Sequence, residues 1–263
     1  MTFIYGLPAW LFMSACVLGA CGLAAVMLTL MRTRISRNDL IAHNDVAGPI
    51  LTIIGTVLAV MMSFMVVGVW QEYDNSAQNV QVEAGALSDI HHLADGLNEP
   101  DRHLLQARVD KYIDLVLHVE WPLMQRGAES QAAHDTAYAI FKQIVHLRPA
   151  TPAQQALQST ALDMAMKFLD ARRQRIHDNS QGIPFVLWAV MLFIGTVTVL
   201  FCFYFRVDRP KAQLVMVLAV TAVIAITFTL IAELDFPFRG DVAISTGSFE
   251  HVFKTVHNIG LEP

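Results

Sequence analysis

Long apolar blocks without a charged residue or a histidine interrupt an otherwise polar chain. There are four of them, at residues 9–31, 47–70, 185–205 and 212–231, and none contains Asp, Glu, Lys, Arg or His. A helix of about 20 apolar residues crosses a bilayer, because it rises about 1.5 Å per residue and the hydrocarbon layer is about 30 Å thick. The pattern therefore predicts four transmembrane helices.

The segment between the second and third blocks is polar, and its apolar residues recur with helical spacing. Its four helical pieces run to about residue 97 and then over 101–124, 129–147 and 151–178. No alternation typical of strands occurs in it. The first piece follows the second block without a breaker, so one helix is predicted to be both a transmembrane span and the first rod of a helical bundle.

These patterns predict an all-α integral membrane protein with four transmembrane helices and a soluble helical-bundle domain inserted between the second and third spans. The predicted parts are a first transmembrane hairpin (1–70), the soluble bundle continuous with the second span (71–183), a second hairpin (184–232) and a tail (233–263). The tail contains a short amphipathic helix with Phe249, Val252, Phe253 and Val256 on one face. We expect that helix at the membrane surface or against the bundle.

Composition supports the membrane assignment and excludes several functions. Only 16% of residues are charged, against about 25% in soluble proteins, and the net charge of −5 argues against nucleic acid as a partner. The apolar blocks lack the ionisable groups that a proton-coupled pump needs. Neither a metal-ligand spacing nor a nucleophile motif is found, so we predict no enzyme, no metal and no cofactor.

Basic residues predict the orientation in the membrane. The two short loops, 32–45 and 206–211, carry six Lys or Arg against three Asp or Glu, whereas the first 31 residues after Trp70 carry no Lys or Arg. The positive-inside rule then places both loops in the cytoplasm and the bundle outside it. The predicted location is the inner (plasma) membrane, crossed several times.

A stripe of small and hydroxyl residues follows one side of the second block: Thr52, Thr56, Ala59 and Ser63. Hydroxyl groups in a pore partly replace the water around an ion. The alternative is a packing seam, because such residues are also enriched where membrane helices touch. Ile53, Val60 or Phe64 on adjacent faces would instead form a hydrophobic constriction, so the register of any pore lining stays open.

Carboxylates form a second group of candidates. Glu233 and Asp235 follow the fourth block and would form rings at a pore mouth in an oligomer, concentrating cations; alternatively Asp235 caps a backbone turn or pairs with Arg239. Glu83 and Glu120 lie among apolar residues, where a buried pair with an arginine would be structural and titration at a gate is the other possibility.

Several short motifs carry a resemblance to a known family. They are Gly48-Pro49, Val69-Trp70 with Tyr73, Glu83-Ala84, Glu120-Trp121-Pro122 and, after the fourth block, Leu234-Asp235-x-Pro237-Phe238-x-Gly240. In this order they resemble the bestrophin-like domain family of membrane proteins, formerly a domain of unknown function and distantly similar to bestrophin channels. The resemblance implies homo-pentameric anion channels with four spans per subunit, a pore lined by the second span and a cytosolic soluble domain.

The leading functional hypothesis is an oligomeric ion channel with a central pore lined by the second transmembrane helix. Its predicted partners are the lipid bilayer, inorganic ions and further copies of the chain, five in all if it assembles as bestrophins do. The alternative is a membrane-anchored sensor or assembly protein whose bundle binds a ligand or partner. Ion selectivity, subunit number and gating stimulus are left open by the sequence.

Overall fold

The computed structural model describes residues 8–34, 44–204 and 209–257. Every regular element in these ranges is helical, and they contain no strand. In chain order the helices are α1 (Ala9–Arg34), α2 (Asn44–Ala94), α3 (Asp101–Leu115), α4 (Trp121–Met124), α5 (Gln131–His146), α6 (Pro152–Ser180), α7 (Phe185–Tyr204), α8 (Pro210–Leu234) and α9 (Gly247–Val256). This confirms the predicted all-helical class.

Four of these helices, α1, α2, α7 and α8, are long and apolar enough to cross a membrane. They contain the first, second and fourth apolar blocks and the third as far as Tyr204, so the described helices include the four candidate spans that the sequence predicts. Both α1 and α8 extend beyond their blocks, to Arg34 and to Leu234, because the polar residues at their ends continue the helix without a breaker.

Helix α2 is one uninterrupted element of 51 residues. It joins an apolar membrane half, up to residue 70, to a polar half that begins at residue 71. At 1.5 Å per residue it is about 77 Å long, more than twice the thickness of the hydrocarbon layer. It ends three residues before the predicted position, where the amide of Leu97 donates to the carbonyl of Ala94 in a tight turn at 2.9 Å. The prediction of a single rod is confirmed.

The chain divides into two compact units. The first is drawn from Met1–Gln71 and Ile183–Asp235, and the second from Glu72–Gly182 and Phe236–Pro263. We call them the four-span unit and the bundle unit. The C-terminal segment thus belongs with the bundle, and Phe249 and Val252 of α9 are buried in the bundle core. Of the two predicted placements for this helix, the one against the bundle is correct.

A π-helical turn, Val116–Glu120, joins α3 to α4, where the sequence predicts one regular helix. The wider turn changes the register of the side chains that follow it. As a result the consecutive residues Glu120 and Trp121 are both buried. Spacing alone did not predict this turn, because an apolar period of 3.6 residues cannot show where one residue is added.

Within the four-span unit, α1, α7 and α8 share a small apolar core formed by Ala24, Leu28, Cys202, Phe203 and Val217. The three thiols, Cys16, Cys21 and Cys202, are free.

Candidate functional site

The predicted pore stripe of α2 lies on the surface of the protomer. Thr52, Thr56, Ala59 and Ser63 are all exposed. Each hydroxyl donates its hydrogen to the carbonyl four residues earlier: Thr52 to Gly48 at 3.1 Å, Thr56 to Thr52 at 2.8 Å and Ser63 to Ala59 at 2.8 Å. Because a hydroxyl has one hydrogen and two lone pairs, the stripe presents oxygen acceptors outward.

The faces of α2 are distinguished by burial. Within residues 48–70 the buried positions are Leu58, Met62 and Val69, and they project to one side of the helix. At about 100° per residue, the stripe is centred about 110° from that side. A second exposed face carries the large apolar residues Ile53, Val60 and Phe64. It lies about 160° from the buried side of the helix. Two adjoining faces, one small and polar and the other large and apolar, are therefore left uncovered by the protomer.

A cleft of about 770 Å³ runs between α2 and α8 and divides the stripe in two. Ala59 and Ser63 line its α2 side, and Thr227 lines its α8 side. Thr52 and Thr56 do not belong to its lining. Half of the stripe thus borders a groove, as a packing seam requires, and the other half faces outward.

The two carboxylates at the end of α8 are positioned differently. Glu233 is buried, with 7% of its surface exposed. Asp235 is half-buried, and its Oδ1 accepts a hydrogen bond of 2.6 Å from the backbone amide of Ile183, just before α7. The geometry of Asp235 is that of a backbone cap, one of the three roles considered for it from the sequence.

The tail motif, Pro237, Phe238 and Gly240, forms a turn that is fixed by hydrogen bonds and packing. The Pro237 carbonyl accepts from the amide of Ile244 at 2.8 Å, and Phe238 is fully buried. Gly240 has a φ of +82°, a conformation that other residues adopt at a cost. Arg239 lies over the ring of Phe236, 4.3 Å from its centroid, and donates to the Asn179 carbonyl. These contacts fix the start of the C-terminal segment on the bundle.

A network of five buried polar side chains occupies the bundle core. Its members come from α2, α3, the π-helical turn and α6: Glu83, Tyr112, Glu120, Arg172 and Arg175. Arg175 holds Glu83 through two bonds, of 2.6 and 2.9 Å, and its Nη2 also donates to Glu120 at 2.9 Å. Arg172 holds Glu120 through two bonds, of 2.5 and 2.8 Å. The Tyr112 hydroxyl donates to Glu83 at 2.5 Å.

The charges of the network balance, with two carboxylates against two guanidinium groups. Burial alone raises the pKa of Glu120, but the hydrogen bonds and charges of Arg172 and Arg175 outweigh it and lower the pKa below the usual range. Burial raises the pKa of Tyr112 well above its ordinary value, and the Glu83 charge adds to this. The Glu120 carboxylate is therefore ionised and the Tyr112 phenol neutral around pH 7.

Aromatic rings close the network off from solvent. The guanidinium carbon of Arg175 lies 5.6 Å from the ring centroid of Trp121 and 5.8 Å from that of Phe249. Trp121 in turn packs edge-on against Phe238, with 5.8 Å between centroids. Three of the motifs that carry the family resemblance, those containing Glu83, Glu120 and Phe238, thus come together in the bundle core.

The sequence left two possibilities open for Glu83 and Glu120, and the structure shows the first of them, a buried pairing with arginines. It did not identify Arg172, Arg175 or Tyr112 as members of the network. A signal was present for the arginines: the apolar stripe of α6, with Phe168 and Leu169 on it, continues at helical spacing through both. A charged residue on such a stripe indicates a buried ion pair.

In the part of the chain that the structure describes, no group of three or more His, Cys, Asp or Glu side chains has the geometry of a metal site. All five members of the ion network are engaged by one another. The arrangement is suited to holding helices together rather than to bond chemistry.

These features define an all-helical membrane protein with four apolar spans and a bundle unit organised around a buried ion network. The model of the bestrophin-like domain matches residues 18–249, which include all of the motifs named above. The chain belongs to the bestrophin-like domain family. The resemblance predicted from the sequence is confirmed.

Solved structures share the fold. The crystal structure of a bacterial bestrophin homologue from Klebsiella pneumoniae, obtained by Zn-SAD phasing, superposes with a TM-score of 0.67 at 11% identity and covers 94% of this chain and 100% of that chain. A single-residue variant from the same organism gives a TM-score of 0.69 at 10% identity, covering 92% and 98%. Another crystal structure, described as that of a membrane protein with one substitution, gives a TM-score of 0.66 at 11% identity and covers 94% of this chain and 99% of that chain. No curated protein matches the chain.

Proposed function

We propose that this protein is an oligomeric ion channel whose central pore is lined by the membrane half of α2. The observation that carries the proposal is the exposure of α2. The protomer buries only the side marked by Leu58 and Met62 and leaves two adjoining faces of this helix open. A ring of copies around an axis places such faces against a pore and against neighbouring subunits. Membership in the bestrophin-like family supports the same function.

We assign the pore face to Thr52, Thr56, Ala59 and Ser63. Their hydroxyl hydrogens are committed to the helix backbone, so the oxygens can accept hydrogen bonds from water or coordinate a cation. To bind an anion, these hydroxyls would have to rotate and donate their hydrogens to the anion instead of to the backbone carbonyls. The alternative register places Ile53, Val60 and Phe64 on the axis as a hydrophobic constriction, which gates by excluding water.

In this proposal the bundle is a soluble domain inserted between the second and third spans. Support comes from the polar half of α2, which continues its membrane half without a break. Any displacement of the bundle would then act directly on the helix that lines the pore. Five copies are proposed from the resemblance to bestrophins. Asp235 is assigned a structural role, because its carboxylate caps the amide of Ile183.

For orientation we keep the charge-based proposal, with the short loops in the cytoplasm and the bundle outside it. The resemblance to bestrophins implies the opposite orientation, with the bundle in the cytoplasm. A single cysteine at exposed Arg173 on α6, in a variant whose three native cysteines are replaced by alanine, distinguishes the two. Labelling in intact cells by a membrane-impermeant maleimide supports the outside placement, and labelling only after lysis overturns it.

The channel proposal is tested with purified protein in planar bilayers, together with the mass of the particle. We expect steady conductance and a ring-shaped oligomer. Ser63→Trp should reduce the conductance, whereas Val215→Trp, at an exposed position of α8, should not. Absence of conductance over a range of salts and pH values contradicts the proposal, and a dimer without a central axis favours a sensor or assembly protein.

A further inference from the structure

A cavity of about 470 Å³ lies among α1, α7 and α8 in the four-span unit. This volume falls within the range of small-molecule sites. Its lining is mostly apolar and contains no charged side chain, with Ala20 and Ala24 on α1, Leu192 on α7 and Ala225 on α8. The cavity is lined by other residues than the cleft beside the proposed pore face, apart from Ile224, which borders both.

One polar group in this lining lacks a partner. Thr221 of α8 is 5% exposed, and its hydroxyl makes no hydrogen bond within the described part of the chain. Its neighbours on the same helix differ, since Thr227 donates to the Val223 carbonyl at 3.0 Å and Thr229 to the Ala225 carbonyl at 3.0 Å. A buried hydroxyl without a partner is unfavourable, so this group is available to a ligand.

The depth of Thr221 restricts the kind of ligand. It lies 11 residues after Pro210 and 13 before Leu234, the ends of α8. These separations correspond to about 17 and 20 Å, so the hydroxyl is near the middle of the hydrocarbon layer. A phospholipid has only hydrocarbon at this depth, because its ester groups lie at the edges of the layer. A partner for Thr221 must therefore carry its polar group into the middle of the membrane.

Aromatic rings form another part of the wall. Trp188 and Phe228 are stacked at 27°, with 6.2 Å between their centroids. A side chain at Gly195 would bring its Cβ within 3.1 Å of the Phe228 ring. Glycine at this position therefore allows the ring to pack where it does in the cavity wall. The result is a hydrophobic, aromatic-walled space in which, among the described residues, Thr221 carries the buried hydroxyl without a partner.

We propose that this cavity binds a neutral lipophilic molecule whose hydroxyl or carbonyl group forms a hydrogen bond with Thr221. The absence of charge from the lining selects a neutral ligand, since a charged group in a dry apolar site would be strongly unfavourable. The inference does not depend on ion conduction.

The test uses the full chain in lipid vesicles and three photoreactive probes. The first is a diazirine-bearing hexadecane with a mid-chain hydroxyl, the second is the same molecule without the hydroxyl, and the third is a phosphatidylcholine with the diazirine in its acyl chain. Peptide mapping measures labelling of the cavity residues. We expect the alcohol to label them about fivefold more than the hydrocarbon, the ratio that one hydrogen bond of about 1 kcal/mol produces.

Matched variants isolate the hydroxyl. Thr221→Val should remove the preference for the alcohol, and Thr221→Ser, which keeps the hydroxyl, should retain it. Thr227→Val makes the same change on the same helix outside the cavity and should leave the preference intact. Ala225→Phe should reduce labelling by every probe, because the ring fills the space. Equal labelling by alcohol and hydrocarbon, an unchanged preference in Thr221→Val, or labelling as strong by phosphatidylcholine overturns the proposal.

Discussion

The four-span unit and the bundle unit satisfy their polar groups in different ways. In the span of α2, the hydroxyls of Thr52, Thr56 and Ser63 bond to the backbone of their own helix. In the bundle, Arg175 of α6 reaches Glu83 of α2, a partner 92 residues away in the chain. Local bonds leave the surface of a helix free for other contacts, whereas distant ion pairs fix several elements in one arrangement.

The comparison separates residues that hold the fold from residues that are available for function. A change to the bundle network should be costly, because it leaves a buried charge without its partner. A change to the exposed stripe of α2 should hardly affect the protomer, because these side chains are exposed and their hydroxyls bond only within α2. Effects of stripe variants on conduction then report on the pore rather than on folding.

The largest effect is expected from Arg175→Met. Loss of this guanidinium leaves Glu83 and Glu120 buried with too little positive charge, and the free energy of unfolding should fall by about 3–5 kcal/mol. Denaturant unfolding of the detergent-solubilised protein measures it. The control is Arg173→Met, which removes an exposed pair with Asp170 and should cost less than about 1 kcal/mol. Similar losses in the two variants would contradict the comparison.

The next effect concerns two glycines. Gly240→Ala should cost about 1–2 kcal/mol, because alanine is strained at a φ of +82°. Gly68→Ala, in the exposed span of α2, should leave stability unchanged or raise it by up to about 1 kcal/mol, since a helical Cβ there meets no neighbour. Thermal unfolding of both variants measures the difference, and a greater loss for Gly68→Ala would reverse the assignment.

Acid should weaken the bundle through Glu120. Its pKa is lower in the folded protein than in the unfolded chain, so its contribution is complete above the ordinary value of 4.5 and is lost as pH falls through the folded pKa. This one group contributes a slope of at most about 1.4 kcal/mol per pH unit. Glu120→Gln should be less stable at pH 7 and should show a shallower acid slope. An unchanged slope in that variant would exclude Glu120 as the acid-sensitive group.

The smallest effect is expected from Thr56→Val. Its hydroxyl bonds only to the Thr52 carbonyl, which keeps its helical partner, so stability should change by no more than about 0.5 kcal/mol. The same unfolding assay measures it. A loss of several kcal/mol would mean that the stripe is a packing seam within the assembly.

Much of the fold follows from the sequence because the relevant signals are local. The apolar blocks predict the four spans, and the absence of a breaker after Trp70 predicts the length of α2. The cap before α6 is also local: the Thr151 hydroxyl accepts from the amide of Gln154 at 3.2 Å, as its position before Pro152 predicts.

The rest depends on contacts between distant residues. A buried pair with an arginine was one of two possibilities for Glu83 and Glu120. The apolar stripe of α6 marks Arg172 and Arg175 as buried, but which carboxylate each arginine meets depends on how the helices pack and on the π-helical turn before Trp121. The unpartnered hydroxyl of Thr221 is likewise invisible in the sequence, because it results from the packing of three helices.

Cysteine substitution measures whether the stripe of α2 lines a pore. Single cysteines replace residues of the stripe (Thr52, Thr56, Ala59, Ser63) or of the apolar face (Ile53, Val60, Phe64), in a variant without native cysteines. Currents are recorded before and after a charged, water-soluble thiol reagent is added. We expect modification to change the conductance of the stripe variants and to leave that of the apolar-face variants unchanged. Changes confined to the apolar face, or no change at any position, would contradict this expectation.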